Sequence, residues 1–291
     1  MIVQYIINCI YTKMADMEQE LEGLGDRMKA YEHDEKVPTY KPFIVRLDGK
    51  NFSKFTKGLK KPFDFNFTTA MINTLNDLVL FSHAVTGFCC SDEISLVFPT
   101  VSTKEEYDAE MNKSVHFYNG RKTKTCTVLA SKCSVLFNGH MKDAISKHES
   151  DYTEQFKEKV NKMQAIFDAR IIEFPEDKQQ DIVNNLLWRS VYDCHRNCVS
   201  TYARHCLGQK KVMNKNCTQM IKMMKEEGVD WLKVPLHFKF GVYAKKELRD
   251  MEINIKGEVK KFQRGVIVNK CFKIKYSDEM LKLVLSKYWF D

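Results

Sequence analysis

Residues 43–49 read FIVRLDG and residues 84–98 read AVTGFCCSDEISLVF. The first is an apolar run that ends on Asp48 and Gly49. The second is two strand-like runs, 84–90 and 94–98, joined by Ser91-Asp92-Glu93, and so short a joint favours an antiparallel hairpin. Between the two stretches, Phe67, Met71, Leu75 and Leu78 recur at three- and four-residue spacing over residues 65–81, the period of one helix face. Downstream, 113–144 reads as a long helix and 169–174 (ARIIEF) as one more strand, stopped by Pro175. The order is strand, helix, strand, strand, helix, strand. That is the split arrangement of a ferredoxin-like antiparallel sheet with helices on one face, an α+β fold.

Working outward, residues 14–31 place Met17, Leu21, Leu24 and Met28 on one helical face, and 178–206 are helical in pattern. Residues 216–228 form a basic helix and 228–231 a turn. Residues 238–243 and 264–268 read as strands, and 247–261 as a loop or hairpin. The 46 Lys and Arg exceed the 38 Asp and Glu by eight, and residues 208–291 alone carry 19 basic and 10 acidic side chains. All the excess positive charge therefore sits in the last third. It points to a polyanionic partner, with pairs such as Lys210/Lys211 and Lys245/Lys246 as phosphate contacts. Low Gly and Pro and a 44% hydrophobic content exclude a disordered or fibrous chain. Ten cysteines without a secretory signal point to free thiols in a reducing compartment. The opening MIVQYIINCI is too short to span a bilayer and is broken by Gln4 and Asn8. With Lys13 as the one basic residue of the first fifteen, the pattern favours the cytoplasm over mitochondrial import.

Asp48 closes one apolar strand, and Asp92 and Glu93 occupy the tip between two others. In a split sheet the end of the first strand and the hairpin tip lie side by side, which gathers Asp48, Asp92 and Glu93 at one edge. Carboxylates clustered beside a backbone carbonyl at Gly49 suit hard divalent ions such as Mg²⁺. Two such ions serve phosphoryl or nucleotidyl transfer. Singly, each Asp reads more simply as a turn residue satisfying local amides; together, at the ends of apolar strands, they lean towards metal. Candidate phosphate ligands follow: Lys50, Lys54, Lys57, Lys60 and Lys61, then Arg121 and Lys124 on one helix face. A rival zinc reading gathers Cys194, His195, Cys198, His205 and Cys206, but no CxxC pair supports it.

The segments GDRMK (25–29) with Tyr31-Glu32, RLDGKNF (46–52), FTKG (55–58), KPFD (61–64) and SDEISL (91–96) resemble the tRNA-His guanylyltransferase family, in its guanylyltransferase-like branch. FDARIIEFP (167–175), YDCHRN (192–197), GVDW (228–231) and FKFGVY (238–243) fit the same branch, so the resemblance runs from about residue 24 to about 245. It implies a palm-like catalytic domain over 15–180, a basic tRNA-binding region over 181–291, and two Mg²⁺ ions. Asp48, the Gly49 carbonyl and Asp92 would hold the metals and Glu93 would complete the acidic cluster. Lys50, Asn51, Phe52, Lys61, Ser91, Arg121 and Lys124 match nucleotide-binding positions, and His195 and Asn197 match a signature near the substrate nucleotides. The implied activity joins nucleotides to the 5′ end of tRNA in the 3′-to-5′ direction: templated repair, or G addition to tRNA-His. ATP or GTP first activates the 5′-phosphate, and the 3′-hydroxyl of an incoming NTP then attacks. The family precedent is a homo-tetramer, with no membrane partner.

The chain departs from the family pattern at Ser53, where His is common, and at Cys198, where a second Asn is common. It departs again at Asn214-Lys215-Asn216 and at Phe240. No departure removes a metal ligand. The competing readings are a non-catalytic RNA-binding protein on the same scaffold and a palm-type nucleotide cyclase. Retention of Asp48, Asp92, Glu93 and Lys61 together favours the enzyme, because crowded acids cost stability unless a cation is present.

Overall fold

The computed structural model describes residues 23–32, 35–111, 114–255 and 258–290. In the unit formed by Met1–Lys36 it shows a short helix, Leu24–Lys29, with an Asp26–Lys29 ion pair at 3.6 Å. The rest of the helix expected over 14–31 lies outside the described residues.

In the second unit, Val37–Asp291, six strands form one antiparallel sheet. They are β1 (Phe43–Gly49), β2 (Thr86–Cys90), β3 (Glu93–Phe98), β4 (Phe167–Glu173), β5 (Val242–Ile255) and β6 (Glu258–Lys270), in the order β4-β1-β3-β2-β5-β6. The first four have the expected split β-α-β order. Strand side chains alternate between faces, and the alternation separates two cores. Phe43, Val45, Leu47, Ile94 and Leu96 lie under α1 (Phe65–Ser82) and α2 (Lys122–Lys147). On the opposite face, Ile44, Phe88, Val97 and Tyr243 meet Ile182, Val183 and Leu186 of α3 (Asp181–Leu187), with Val284 of α5 (Asp278–Leu285) and Trp289. The palm helices thus share one face, and the C-terminal extension covers the other.

Asp64 starts α1 by accepting the Phe67 amide at 2.9 Å, the usual way an N-cap satisfies an orphan donor. Met71, Leu75 and Leu78 turn inward as their spacing requires, and Leu75 and Leu78 are fully buried. Each such side chain stabilises the fold by about 1.5–3 kcal/mol. The helix expected over 113–144 begins only at Lys122, because Tyr118, Asn119 and Gly120 all have positive φ and cannot continue a helix. Residues 112 and 113 lie outside the described set.

The C-terminal extension runs from α3 through a π-helical segment, Trp188–Cys194, into α4 (His195–Leu207). The strand expected over 238–243 begins instead at Val242, after a helical turn, Leu236–Phe240. Pro235 sets the start of that turn, and Gly241 ends it at φ 76°, where a Cβ would strike the Phe88 ring. β5 pairs with β2 only through Val242, Tyr243 and Ala244, and then continues with β6 as a two-stranded ribbon to Ile255↔Glu258. The region 247–261 is the outer part of that hairpin. No helix among the described residues is long and apolar enough to cross a membrane.

Candidate active site

The end of β1 carries the site. Asp48 stands opposite Glu93 of β3 and Asp168 of β4, so three acids cross three neighbouring strands on one face. Asp92 sits in the turn of the β2–β3 hairpin, where Ser91 adopts φ 53°. The Gly49 amide donates to the Asp92 carbonyl at 3.1 Å, which locks the hairpin tip to the β1 end. A side chain at Gly49 would overlap the Phe52 ring. Phe52 itself is mostly core, packed on Phe137 and Phe167, and its remaining edge borders the same cavity as Ser53 and Lys61. The Ser91 hydroxyl donates to Asp92 at 2.9 Å. Burial pushes the Asp92 carboxyl above its usual range, the Asp48 charge adds to the rise, and the Ser91 bond opposes it.

Glu93 is placed beside Asp48 as expected, but its carboxylate is engaged. Arg189 Nε donates to one oxygen at 2.7 Å and Nη2 to the other, with Arg46 Nε 3.9 Å away. Burial raises the Glu93 carboxyl and Arg189 draws it back down. Arg189 also lies 2.8 Å from Asp193, four residues on. All three nitrogens of the guanidinium therefore face carboxylates. Neither Arg189 nor Asp168 was singled out by sequence reasoning. The four-residue spacing of Arg189 and Asp193 was the available signal for the first, and the strand position of Asp168 for the second.

Two adjoining cavities meet at Ser91 and Asp92. One, of about 240 Å³, is bounded by Asp48, Asp92, Arg189, Asn197 and the aromatic wall of Phe63 and Phe238, whose rings stack at 4.6 Å. The other, of about 330 Å³, is bounded by Ser53, Lys60, Lys61 and Thr201. Lys60 is bound to Asp151 at 2.8 Å. Lys61, Ser91 and Asn197 are thus brought to the acids. Lys50 and Asn51 line a separate cavity beside β4.

Arg121 and Lys124 are not brought there within one chain. They begin α2 beside Phe117, which contacts Phe98, and Phe98 pairs with Phe43 at the start of β1. The length of β1, roughly 20 Å at strand rise, separates them from Asp48. His195 does not line the cavity. Its ring lies parallel to Phe240 at 5.6 Å and edge-on to Trp231, and burial together with Lys273 and Lys239 pulls its pKa down.

The zinc alternative does not assemble. The Cys194 thiol donates to the Phe238 carbonyl, Cys198 is buried, and His205 and Cys206 are exposed. Among the described residues no three His, Cys, Asp or Glu side chains converge to hold an ion. The expected phosphate pair Lys245/Lys246 also fails: Lys245 is 1% exposed and donates to the Val85 carbonyl, the Thr86 hydroxyl and the Ser286 carbonyl.

A family model described as tRNA-His guanylyltransferase matches residues 25–175, just over half of the chain. The chain belongs to the tRNA-His guanylyltransferase family. Over 271 residues it is 39% identical to an uncharacterised protein, R259, of Acanthamoeba polyphaga mimivirus, with 92% of this chain and 91% of that one covered. A bacterial tRNA-His guanylyltransferase-like protein in complex with ATP is 28% identical with a TM-score of 0.62, over 76% of this chain and 87% of its own. Such a protein in complex with GTP is 25% identical with a TM-score of 0.60, over 84% and 90%. The tRNA-His guanylyltransferase of Saccharomyces cerevisiae, 22% identical over 74% and 90%, shares the fold at a TM-score of 0.58. The family makes this chain a nucleotidyltransferase with a palm-type sheet.

Proposed function

We propose that the chain extends tRNA 5′ ends in the 3′-to-5′ direction, reading the opposite strand as template. Support comes foremost from one observation: Asp48 and Asp92 are held together by the Gly49–Asp92 backbone bond at the mouth of two adjoining cavities. The tRNA 5′-phosphate attacks the α-phosphorus of ATP or GTP and pyrophosphate leaves. The 3′-hydroxyl of an incoming NTP then attacks the 5′-phosphorus and the nucleoside monophosphate leaves. This first addition lengthens the chain by one nucleotide and ends it in a triphosphate, from which the 3′-hydroxyl of the next NTP displaces pyrophosphate.

Asp48, Asp92 and the Gly49 carbonyl are hard oxygen donors too few to enclose an ion alone, which suits Mg²⁺, a cation that keeps water and substrate phosphates among its ligands. The half-buried Asp92 beside Asp48 also leaves negative charge for a divalent cation to neutralise. When bound, two such ions activate the attacking oxygen and stabilise the leaving one. Lys61 and the Ser91 hydroxyl face the triphosphate in the second cavity, and Asn197 faces the nucleoside against the wall formed by the stacked Phe63 and Phe238 rings. Glu93 acts through Arg189, which joins the strand end to the wall carrying Asn197. Base choice comes from pairing with the template strand, so the protein reads A-form shape and phosphates. A homo-oligomer is the expected working form.

The test is incubation with 5′-truncated tRNA, ATP, all four NTPs and Mg²⁺, followed by sequencing of the ends. Added nucleotides should complement the opposite strand. Absence of any 5′ extension would overturn the reading.

A further inference from the structure

The cavity beside β4 takes no part in the chemistry described above. It has a volume of about 330 Å³ and is bounded by Lys50, Asn51, Lys54, Lys159, Gln164 and Ile166. Two neighbouring chain segments build it: the turn after β1 and the approach to β4, tied by the Lys50 amide donating to the Ile166 carbonyl at 2.8 Å. Asn51 holds the turn in the left-handed region at φ 56°. Lys159 is fixed at the rim by bonds from its ammonium to the carbonyls of Lys54 and Phe55, at 3.0 and 3.2 Å.

Three ammonium groups thus border one hollow, and none is in an ion pair with a carboxylate among the described residues. Lysines elsewhere on this surface do find acids: Lys60 with Asp151, Lys157 with Glu149 and Glu154, and Lys162 with Glu158. What sets this cluster apart is that three such lysines border one cavity. Its floor is apolar. Ile166 is 54% exposed and continues into a shallow groove with Met163, Ala165 and Val135. Cations beside an open apolar floor match a nucleotide unit, phosphate on the ammonium groups and sugar or base on the floor, better than a bare inorganic anion. Lys50 is two residues from Asp48, at most about 7 Å along the chain. A strand of RNA whose 5′ end lies at Asp48 and Asp92 has its next phosphates within reach.

We propose that the Lys50–Lys54–Lys159 cavity binds the sugar-phosphate backbone of the RNA substrate immediately behind the reacting 5′ end. The assignment rests on the reading of tRNA as substrate. Phosphate contacts of this kind set position without reading sequence, and each carries a share of the salt dependence of binding.

The experiment compares the wild type, a Lys50→Gln/Lys54→Gln variant and a Lys142→Gln/Lys147→Gln control of equal charge change on the outer face of α2. Fluorescent tRNA binding is measured from low to moderate KCl without NTP. Lys50 and Lys54 are exposed, so their substitution opens no core cavity, and thermal melts verify the fold. The expected result is weaker tRNA binding by the first variant only, with a salt slope lower by roughly 1.5 for two lost contacts. Equal losses in both variants, or wild-type affinity in the first, would overturn the assignment. So would a defect confined to the KM for NTP, which would make the cavity a mononucleotide site. A wild type that binds no tRNA would remove the substrate reading together with this one, whereas a wild type that binds while the variants match it removes this one alone.

Discussion

Arg189 donates from two of its nitrogens to both oxygens of Glu93 and so joins the π-helical segment to the first residue of β3. Both side chains are nearly dry, 13% and 5% exposed. In such surroundings the pair is worth less as net stabilisation than its disruption costs, because a single buried charge is left behind. Arg189→Met should therefore destabilise the protein by roughly 3–5 kcal/mol, and Arg189→Lys by less. Urea denaturation at neutral pH measures both. Equal stability of Arg189→Met and wild type would mean that Arg46, 3.9 Å away, suffices as the partner of Glu93.

Asp48→Asn and Asp92→Asn should lower nucleotide addition by about a thousandfold, equivalent to roughly 4 kcal/mol of transition-state stabilisation. The fold should persist. Asp92→Asn should even melt slightly higher in EDTA, since it removes a carboxylate that burial and Asp48 already disfavour. Steady-state assays and melts on the same preparations check the two halves separately.

Lys61 lines the second cavity next to Ser91. Lys61→Ala should slow 5′-activation by roughly ten- to a hundredfold, the worth of one charged hydrogen bond. A tRNA supplied with a 5′-triphosphate needs no activation and should restore extension to near the wild-type rate. Failure of that rescue would place Lys61 in the second step.

Burial pushes the Lys245 ammonium down from 10.5 to about 7. Between those values the unfolded chain holds a proton that the folded chain has lost, so stability should rise as pH increases from about 7 towards 10.5 and flatten below 7. The limiting slope is about 1.4 kcal/mol per pH unit. Lys245→Met should lack this rise. Urea midpoints at closely spaced pH values for the two proteins isolate the contribution from other groups.

The β1 end and the β2–β3 tip were legible because each acid follows an unbroken apolar run, and a strand that stops at a polar pair leaves few places for it. Arg189 was not, because its partner lies 96 residues away and only the folded sheet brings them together. The far placement of Arg121 and Lys124 follows from topology. β3 leads away from the acids, so the helix after it must begin at the opposite end of the sheet. Lys246 and Lys245 are neighbours of the same charge, yet a period-two strand sends one to each face, and the inward one meets carbonyls instead of solvent. Residues 238–240 misread as strand because aromatic density favours β structure, while Pro235 and Gly241 confine them to a single helical turn.

The π-helical segment Trp188–Cys194 acts on everything beyond it as a phase shift. A π turn closes over one residue more than an α turn, and each residue of an α-helix advances the side chains by about 100°. Arg189 lies within the segment, and Asn197 and Thr201, which face the cavities, lie after it. Inserting one further residue beside the exposed Tyr192 would exceed what the π turn takes up and swing Asn197 and Thr201 by about 100° away from the acids, with no side chain of the site itself changed. Deleting one would instead let the segment relax to α-helix with their phase kept. A substitution at Tyr192, 64% exposed, leaves that phase intact. In this stretch, replacement or loss of one residue should be tolerated where gain of one is not.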